Sequence, residues 1–192
     1  MKATLLNGAL PGDGFVDAVA AALQETLQSA GWNVTNWTLR DQKIAYCLGC
    51  FECWTKTPGL CRIDDVGREV AAGIIAGDLT IYLTAITFGG YSSALKQAVD
   101  RSICLISPFF TRIDGEVHHQ PRYKRYPALV GVGALPAPHS AQEQIFRSLV
   151  GRNAINLHAP VHDSVVIYRS QEPSAAATAL AGVYPFEARI PA

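Results

Sequence analysis

The sequence predicts an α/β fold: a five-stranded parallel sheet of order 2-1-3-4-5 with helices on both faces, a three-layer sandwich. Three observations predict it. Strand-like and helix-like stretches alternate along most of the chain. The strand-like stretches are continuous apolar runs, as in a sheet buried on both faces, and not apolar-polar alternations. The chain has 192 residues, enough for one sizeable core, and shows no linker, repeat or low-complexity tract, so one domain spanning 1–192 is expected.

The first strand is the run Thr4-Leu5-Leu6, ending at Asn7-Gly8. A loop with Pro11, Gly12 and Gly14 follows, then a helix with Val16, Val19, Leu23 and Leu27 on one face, closed by Gly31. A second strand is expected around 32–39. Asp64-Asp65 supplies the N-cap of a helix carrying Val66, Val70 and Ile74 and stopped by Gly77. Leu79-Thr-Ile-Tyr-Leu83 is the clearest buried strand. It runs into Thr84-Ala85-Ile86-Thr87-Phe88-Gly89-Gly90-Tyr91, where paired glycines let the backbone lie against a flat ligand.

Ser92 or Ser93 caps the next helix, with a predicted buried stripe of Leu95, Val99, Ser102 and Ile106. Cys104 lies off that stripe and reads as an ordinary packed or semi-exposed thiol. Residues 107–127 read as an inserted surface segment; its His118-His119 pair lacks further residues at ligand spacing, and its basic run Arg122-Tyr-Lys-Arg125 is too short for a nucleic-acid patch. Ala128 to Leu135 is the fourth strand. Ser140-Ala-Gln-Glu143 has capping-box spacing and opens a helix carrying Ile145, Phe146 and Leu149, reaching as far as His158. Val165-Val-Ile-Tyr168 is the fifth strand, and a short Ala-rich helix over about 174–182 precedes an irregular tail.

Four of the five cysteines fall between Cys47 and Cys61, as Cys47-x2-Cys50-x2-Cys53-x7-Cys61. Three fates are open to them: thiols packed as small apolar groups, an iron–sulfur cluster, or a zinc site or disulfide. Disulfides suit the chain poorly, because it has no secretory signal and is not a short, cysteine-dense domain. Acidic and basic residues balance at 16 each, which gives no electrostatic footprint for nucleic acid. No apolar run is long enough to span a membrane. A cytoplasmic protein is expected.

In a sheet of this order, ligands bind beyond the carboxyl ends of the strands, between the first and third. The loops there are Gly8 to Phe15 and Thr84 to Ser92, and the cysteine loop is expected on the same edge. At this point the sequence resembles a known family, the flavodoxin-like NADPH-dependent FMN reductases, and within them the iron–sulfur flavoproteins. The likeness covers roughly residues 2–168 and rests on two blocks: Cys47-Leu-Gly-Cys50-Phe-Glu-Cys53-Trp54 with Cys61 and Asp64-Asp65, and Phe88-Gly-Gly-Tyr-Ser-Ser-Ala-Leu-Lys-Gln-Ala-Val-Asp100-Arg101. The resemblance implies a flavodoxin-like fold, FMN as cofactor, NAD(P)H as electron donor, and a small-molecule or protein electron acceptor. It implies a homodimer or homotetramer. It also implies flavin contacts from Gly8, Ala9, Gly12, Gly14, Phe15 and the stretch Thr84 to Tyr91, with Cys47, Cys50, Cys53 and Cys61 as ligands of a 4Fe-4S cluster. No side chain is nominated as acid or base, because the cofactor carries the redox chemistry.

One departure from the family bears on function. Its first loop usually reads Asn-Gly-Ser-Pro-Arg and then Gly-Asn-Ser/Thr, and holds the FMN phosphate. Here the loop reads Asn7-Gly8-Ala9-Leu10-Pro11, then Gly14-Phe15-Val16, without the hydroxyls or the arginine, and Asp13 adds a negative charge. The alternative reading follows from that loss: a binding or assembly protein on the same scaffold, with a thiol-rich structural or redox-sensing loop.

Overall fold

A computed structural model describes residues 1–184. The irregular tail expected after the Ala-rich helix lies almost wholly outside the described residues. In chain order the elements are β1 (Lys2–Asn7), α1 (Gly14–Ser29), β2 (Asn33–Thr38), α2 (Glu52–Thr55), α3 (Val66–Ala76), β3 (Leu79–Ala85) and α4 (Ser93–Arg101). There follow β4 (Ile106–Ile113), β5 (Glu116–Pro121), β6 (Ala128–Leu135), α5 (Ser140–Asn156), β7 (His162–Tyr168) and α6 (Ala175–Val183). Five strands form one sheet in the order β2-β1-β3-β6-β7, every pair parallel. That is the predicted order, with β6 and β7 as the fourth and fifth strands.

Successive side chains point to opposite faces of a strand, so each apolar run feeds two cores. Leu5, Ile81, Leu83, Val130 and Val132 pack with Val16, Val19, Leu23 and Leu27 of α1 and with Leu180 of α6. Leu6, Tyr82 and Leu129 face the other way, against Val70 and Ile74 of α3, Leu95 and Ala98 of α4, and Phe146 and Val150 of α5. Leu5 and Leu6, adjacent in sequence, are both fully buried on opposite sides; each is worth about 1.5–3 kcal/mol of burial.

The helix ends follow local chemistry. Asp13, Asp65 and Ser92 accept hydrogen bonds from the amides of Val16, Gly67 and Leu95 and cap α1, α3 and α4. Gly31, at φ +82°, turns the chain out of α1 and donates its N–H to the Gln28 carbonyl. The cap of α5 lies one residue earlier than the Ser140 spacing predicts. His139 accepts from the Gln142 amide through Nδ1 while the Glu143 carboxylate accepts the His139 N–H at 3.0 Å. The box therefore closes from Glu143 onto His139, not onto Ser140.

The largest correction lies between α4 and β6. The predicted stripe carries the helix to Ile106, but α4 ends at Arg101, a 3-10 turn covers Ser102–Leu105, and β4 and β5 form an antiparallel hairpin where a surface loop was expected. Side-chain donors hold the chain that follows α4: Arg122 donates to the carbonyls of Cys104 and Ile106, and the Tyr126 hydroxyl donates to that of Leu105. The hairpin turns at Asp114-Gly115, with φ +49° and +86°.

Candidate functional site

The site residues that the sequence nominates fall into two groups, toward opposite ends of α4. The first lies at the carboxyl ends of β1 and β3, where Gly8 to Phe15 and Thr84 to Tyr91 meet. The Gly8 N–H donates to the Leu83 carbonyl at 2.8 Å, and the Ser92 hydroxyl donates to the Gly8 carbonyl at 2.6 Å. A Cβ built on Gly8 would lie 2.7 Å from Leu95 Cβ and 2.9 Å from the Leu83 oxygen, so the two loops approach through a position that only glycine fills.

Within the second loop, Thr87 and Gly90 exchange hydrogen bonds of 3.1 and 2.8 Å around a turn in which Phe88 and Gly89 have φ +50° and +81°. Phe88 is 93% exposed, an aromatic ring presented outward from a turn. The side chains of Thr84, Ile86 and Tyr91 point inward instead. Thr84 Oγ1 accepts the Ser92 N–H. Ile86 covers Gly133, and the Tyr91 ring packs edge-on against Tyr82 and Phe146. Ala85 is partly buried against the core. Thr87 and Phe88 are the exposed side chains of this stretch. The Ile86 amide donates to the Ala134 carbonyl, those of Thr87 and Gly90 each to the other residue's carbonyl, and that of Gly89 to the Gln142 side chain at 3.3 Å. Gln142 has no motif to announce it; the register of α5 brings it here.

In the first loop Ala9 is fully buried and its N–H donates to Asn7 Oδ1 at 3.0 Å. Gly12 is exposed at φ +82° and Gly14 opens α1. Phe15 packs on the core beneath the Arg169 guanidinium, which lies 5.6 Å from its ring centre. Arg169 forms two hydrogen bonds with the Asp13 carboxylate, at 2.8 and 2.7 Å. That contact holds the Asp13 carboxyl below the usual carboxylate range against its partial burial. The ring end of this crevice, backbone with an outward aromatic, suits a flat flavin ring. Its phosphate end does not suit a dianion, because a carboxylate already sits at the α1 N-terminus and holds the nearby cation.

The second group is the cysteine loop. It is tied to the last turn of α4 through Arg101 and to the start of α3 through Asp65. Cys47, Cys50, Cys53 and Cys61 all line one small cavity of about 60 Å³, with Leu48, Phe51 and Arg101. Cys47 and Cys50 are exposed, Cys61 is half-buried, and Cys53 is buried against the second core. Burial, and then the neighbouring thiols, push the Cys53 thiol up. Among the described residues no three His, Cys, Asp or Glu stand close enough to hold a single metal ion. The four cysteines nominated as cluster ligands thus line the same cavity. Cys104 lies outside the cavity, buried, with its thiol pushed up to about 11 by desolvation.

Arg101 fastens both ends of this loop. It donates to the Ala45 carbonyl at 2.9 Å, to the Ile63 carbonyl at 3.2 Å, and to both Asp65 oxygens at 2.8 and 2.9 Å. Its Nε has no partner among the protein atoms, although the residue is 2% exposed and lines the cavity. Trp54 anchors the middle, its indole N–H on the Ile103 carbonyl at 3.1 Å and its ring stacked on Phe51. A larger cleft of about 450 Å³ shares Cys47, Gly49 and Ile103 with the cavity and is also lined by Asn153 and Asn156.

Comparison with known proteins now bears on both groups. The family model described as NADPH-dependent FMN reductase matches residues 1–165. A curated protein, the iron–sulfur flavoprotein of Methanosarcina thermophila, is 26% identical over 105 residues, 55% of this chain and 54% of that protein. The match thus spans about half the length of that relative. Among solved structures, an NAD(P)H:quinone oxidoreductase from Methanothermobacter marburgensis superposes with a TM-score of 0.71 at 14% identity, over 93% of this chain and 94% of the other. An azoreductase from Bacillus anthracis superposes with a TM-score of 0.67 at 12% identity, over 95% and 98%. At those identities the structures speak for the flavodoxin-like fold alone. Among the described residues, no helix is long and apolar enough to cross a membrane.

Proposed function

The chain belongs to the NADPH-dependent FMN reductase family, and from that premise we propose that it is a flavin-dependent NAD(P)H oxidoreductase whose four-cysteine loop holds a 4Fe-4S cluster. FMN and NADPH are the flavin and donor that the family's description prints. A bound flavin supplies the hydride acceptance and single-electron release that no side chain provides. The protein's part is placement. The Gly8 to Phe15 loop and the Thr84 to Tyr91 loop form the two walls of the crevice, and Phe88 offers a ring face at its mouth.

The observation that carries the cluster is the convergence of Cys47, Cys50, Cys53 and Cys61 on one cavity beside the Arg101 guanidinium. The guanidinium places one fixed positive charge at the wall of the cavity that the four cysteines line. The adjoining cleft lined by Asn153 and Asn156 gives a small quinone, flavin or similar acceptor a place to reach the loop. Apolar side chains exposed around it, Tyr46, Leu48 and Phe51, suit association of copies of the chain into a homodimer or homotetramer.

Anaerobic purification tests the proposal, with a visible spectrum, iron and acid-labile sulfide assays, and NAD(P)H oxidation with flavin or quinone as acceptor. Flavin bands with flavin-dependent NAD(P)H oxidation support the enzyme, and brown absorbance with iron and sulfide supports the cluster. A colourless protein that stays colourless with added flavin, iron and sulfide refutes both. It would leave the binding-protein reading that the closed Asp13–Arg169 pair favours.

A further inference from the structure

We propose that the loop between β1 and α1 selects the unphosphorylated flavin: riboflavin binds this chain at least as tightly as FMN, and Asp13 and Arg169 set that preference. The inference rests on the flavin reading above and specifies which flavin the crevice takes.

A phosphate at the start of a helix is ordinarily held by free first-turn amides and a nearby cation. Here the Val16 amide and the cation are both engaged from within. Asp13 accepts the Val16 N–H at 3.3 Å, and its two oxygens accept the two terminal nitrogens of Arg169 at 2.8 and 2.7 Å. Arg169 arrives from just beyond β7, 156 residues away in sequence, and the Phe15 ring beneath it fixes its plane. The residues that offer hydroxyls in the family's loop are Ala9 and Val16 here, both fully buried and without a donor side chain.

The neighbouring charges are also settled before any ligand arrives. Arg40 pairs with Asp17 at 2.8 Å, and Asp17 accepts a further hydrogen bond from Asn7 at 3.0 Å. With Asp41 3.8 Å from the Arg40 Nε, three carboxylates face two guanidiniums, and the loop carries no surplus positive charge. A dianionic phosphate entering it meets Asp13 at the helix start. Turning Arg169 from Asp13 to the phosphate exchanges one ion pair for another and leaves the Asp13 side chain, 11% exposed, without its cation. The terminal ribityl hydroxyl of riboflavin has no such conflict, because it is uncharged and can donate to the Asp13 carboxylate where a dianionic phosphate cannot.

The test is a pair of titrations of the full-length protein, freed of flavin, with riboflavin and with FMN, followed by quenching of flavin fluorescence. The same pair is run on Asp13→Asn, which keeps a side-chain oxygen for the Val16 amide and removes the charge. In the wild type the Kd for riboflavin is expected to equal or lie below that for FMN. In Asp13→Asn the Kd for FMN is expected to fall at least tenfold while that for riboflavin moves less than threefold. A wild type that binds FMN more tightly than riboflavin overturns the proposal while leaving the flavin reading standing. A folded Asp13→Asn that leaves the ratio of the two constants within threefold of wild type also overturns it. Should the wild type bind neither flavin, this proposal and the flavin reading fall together. The wild-type comparison decides the question even where the variant does not fold.

Discussion

Arg101 and Asp65 form a doubly hydrogen-bonded ion pair, 2.8 and 2.9 Å, in which the arginine side chain is 1% exposed and the aspartate 14%. Asp65 also caps α3 through the Gly67 amide and accepts the Ala45 N–H at 2.8 Å. One carboxylate therefore holds a helix start, the entry to the cysteine loop and the cation beside it. Asp65→Asn leaves a guanidinium buried without its counter-charge. It is expected to lower stability by about 3–5 kcal/mol, read as a shift in the urea midpoint with an unchanged m-value.

The same residue sets a pH dependence. Burial raises the Asp65 carboxyl, but the hydrogen bonds from Arg101 and from the Ala45 amide outweigh it and leave it below its ordinary value. A carboxyl depressed in the folded state adds stability that is fully present above its unfolded pKa, about 3.9, and is lost as pH falls through the folded value. Asp13, depressed by Arg169, contributes in the same window. Urea midpoints taken at pH 6 and pH 3 should drop less in Asp65→Asn than in the wild type, because the variant has already lost this contribution. An equal drop in both would show that Asp65 is not one of the groups that titrate.

Glycine substitutions separate close approach from mere conformation. Gly8→Ala drives a methyl toward Leu95 Cβ and the Leu83 backbone oxygen, both within 3.0 Å, and should cost about 1–3 kcal/mol. Gly14→Ala, in the first position of α1 with open space around it, should stay within about 0.5 kcal/mol of wild type. Thermal unfolding of the two variants side by side checks the contrast.

Cysteine variants test the cluster ligands one at a time. After anaerobic reconstitution with iron and sulfide, the wild type should carry about four irons per chain, as a 4Fe-4S cluster does. Serine at Cys47, Cys50, Cys53 or Cys61 should each remove more than half of that iron. Cys104→Ala should retain it, because Cys104 lies outside the cavity the other four line. Iron content scaled to folded protein by circular dichroism is the readout, and equal iron in all five variants would show that these thiols are not its ligands.

Much of the scaffold was legible because a parallel sheet buried on both faces leaves a coarse signal. Leu79 to Leu83 has no polar face to hide, and the run of apolar residues from Ala128 to Leu135 is just as plain. The β4–β5 hairpin carries a weaker signal: Asp114-Gly115 sits between strand-like stretches, while the stripe from Leu95 to Ile106 reads as helix and masks the start of β4. The turn between α4 and β4 is held by Arg122 and Tyr126, which reach back to carbonyls 16 to 21 residues earlier and leave no periodicity. The site divides the same way. Cysteine spacing and the Phe88-Gly89-Gly90 turn are local and could be read. The partners Arg101–Asp65 and Arg169–Asp13, separated by 36 and 156 residues, exist only once the sheet has brought them together.

The placement of the crevice and the cysteine cavity toward opposite ends of α4 has a consequence for engineering. Nine helical residues, Ser93–Arg101, rise about 13 Å, beyond the distance at which substitutions ordinarily couple. Substitutions at the two ends are therefore expected to act separately, and a chain altered at both should behave as the sum of its two single changes.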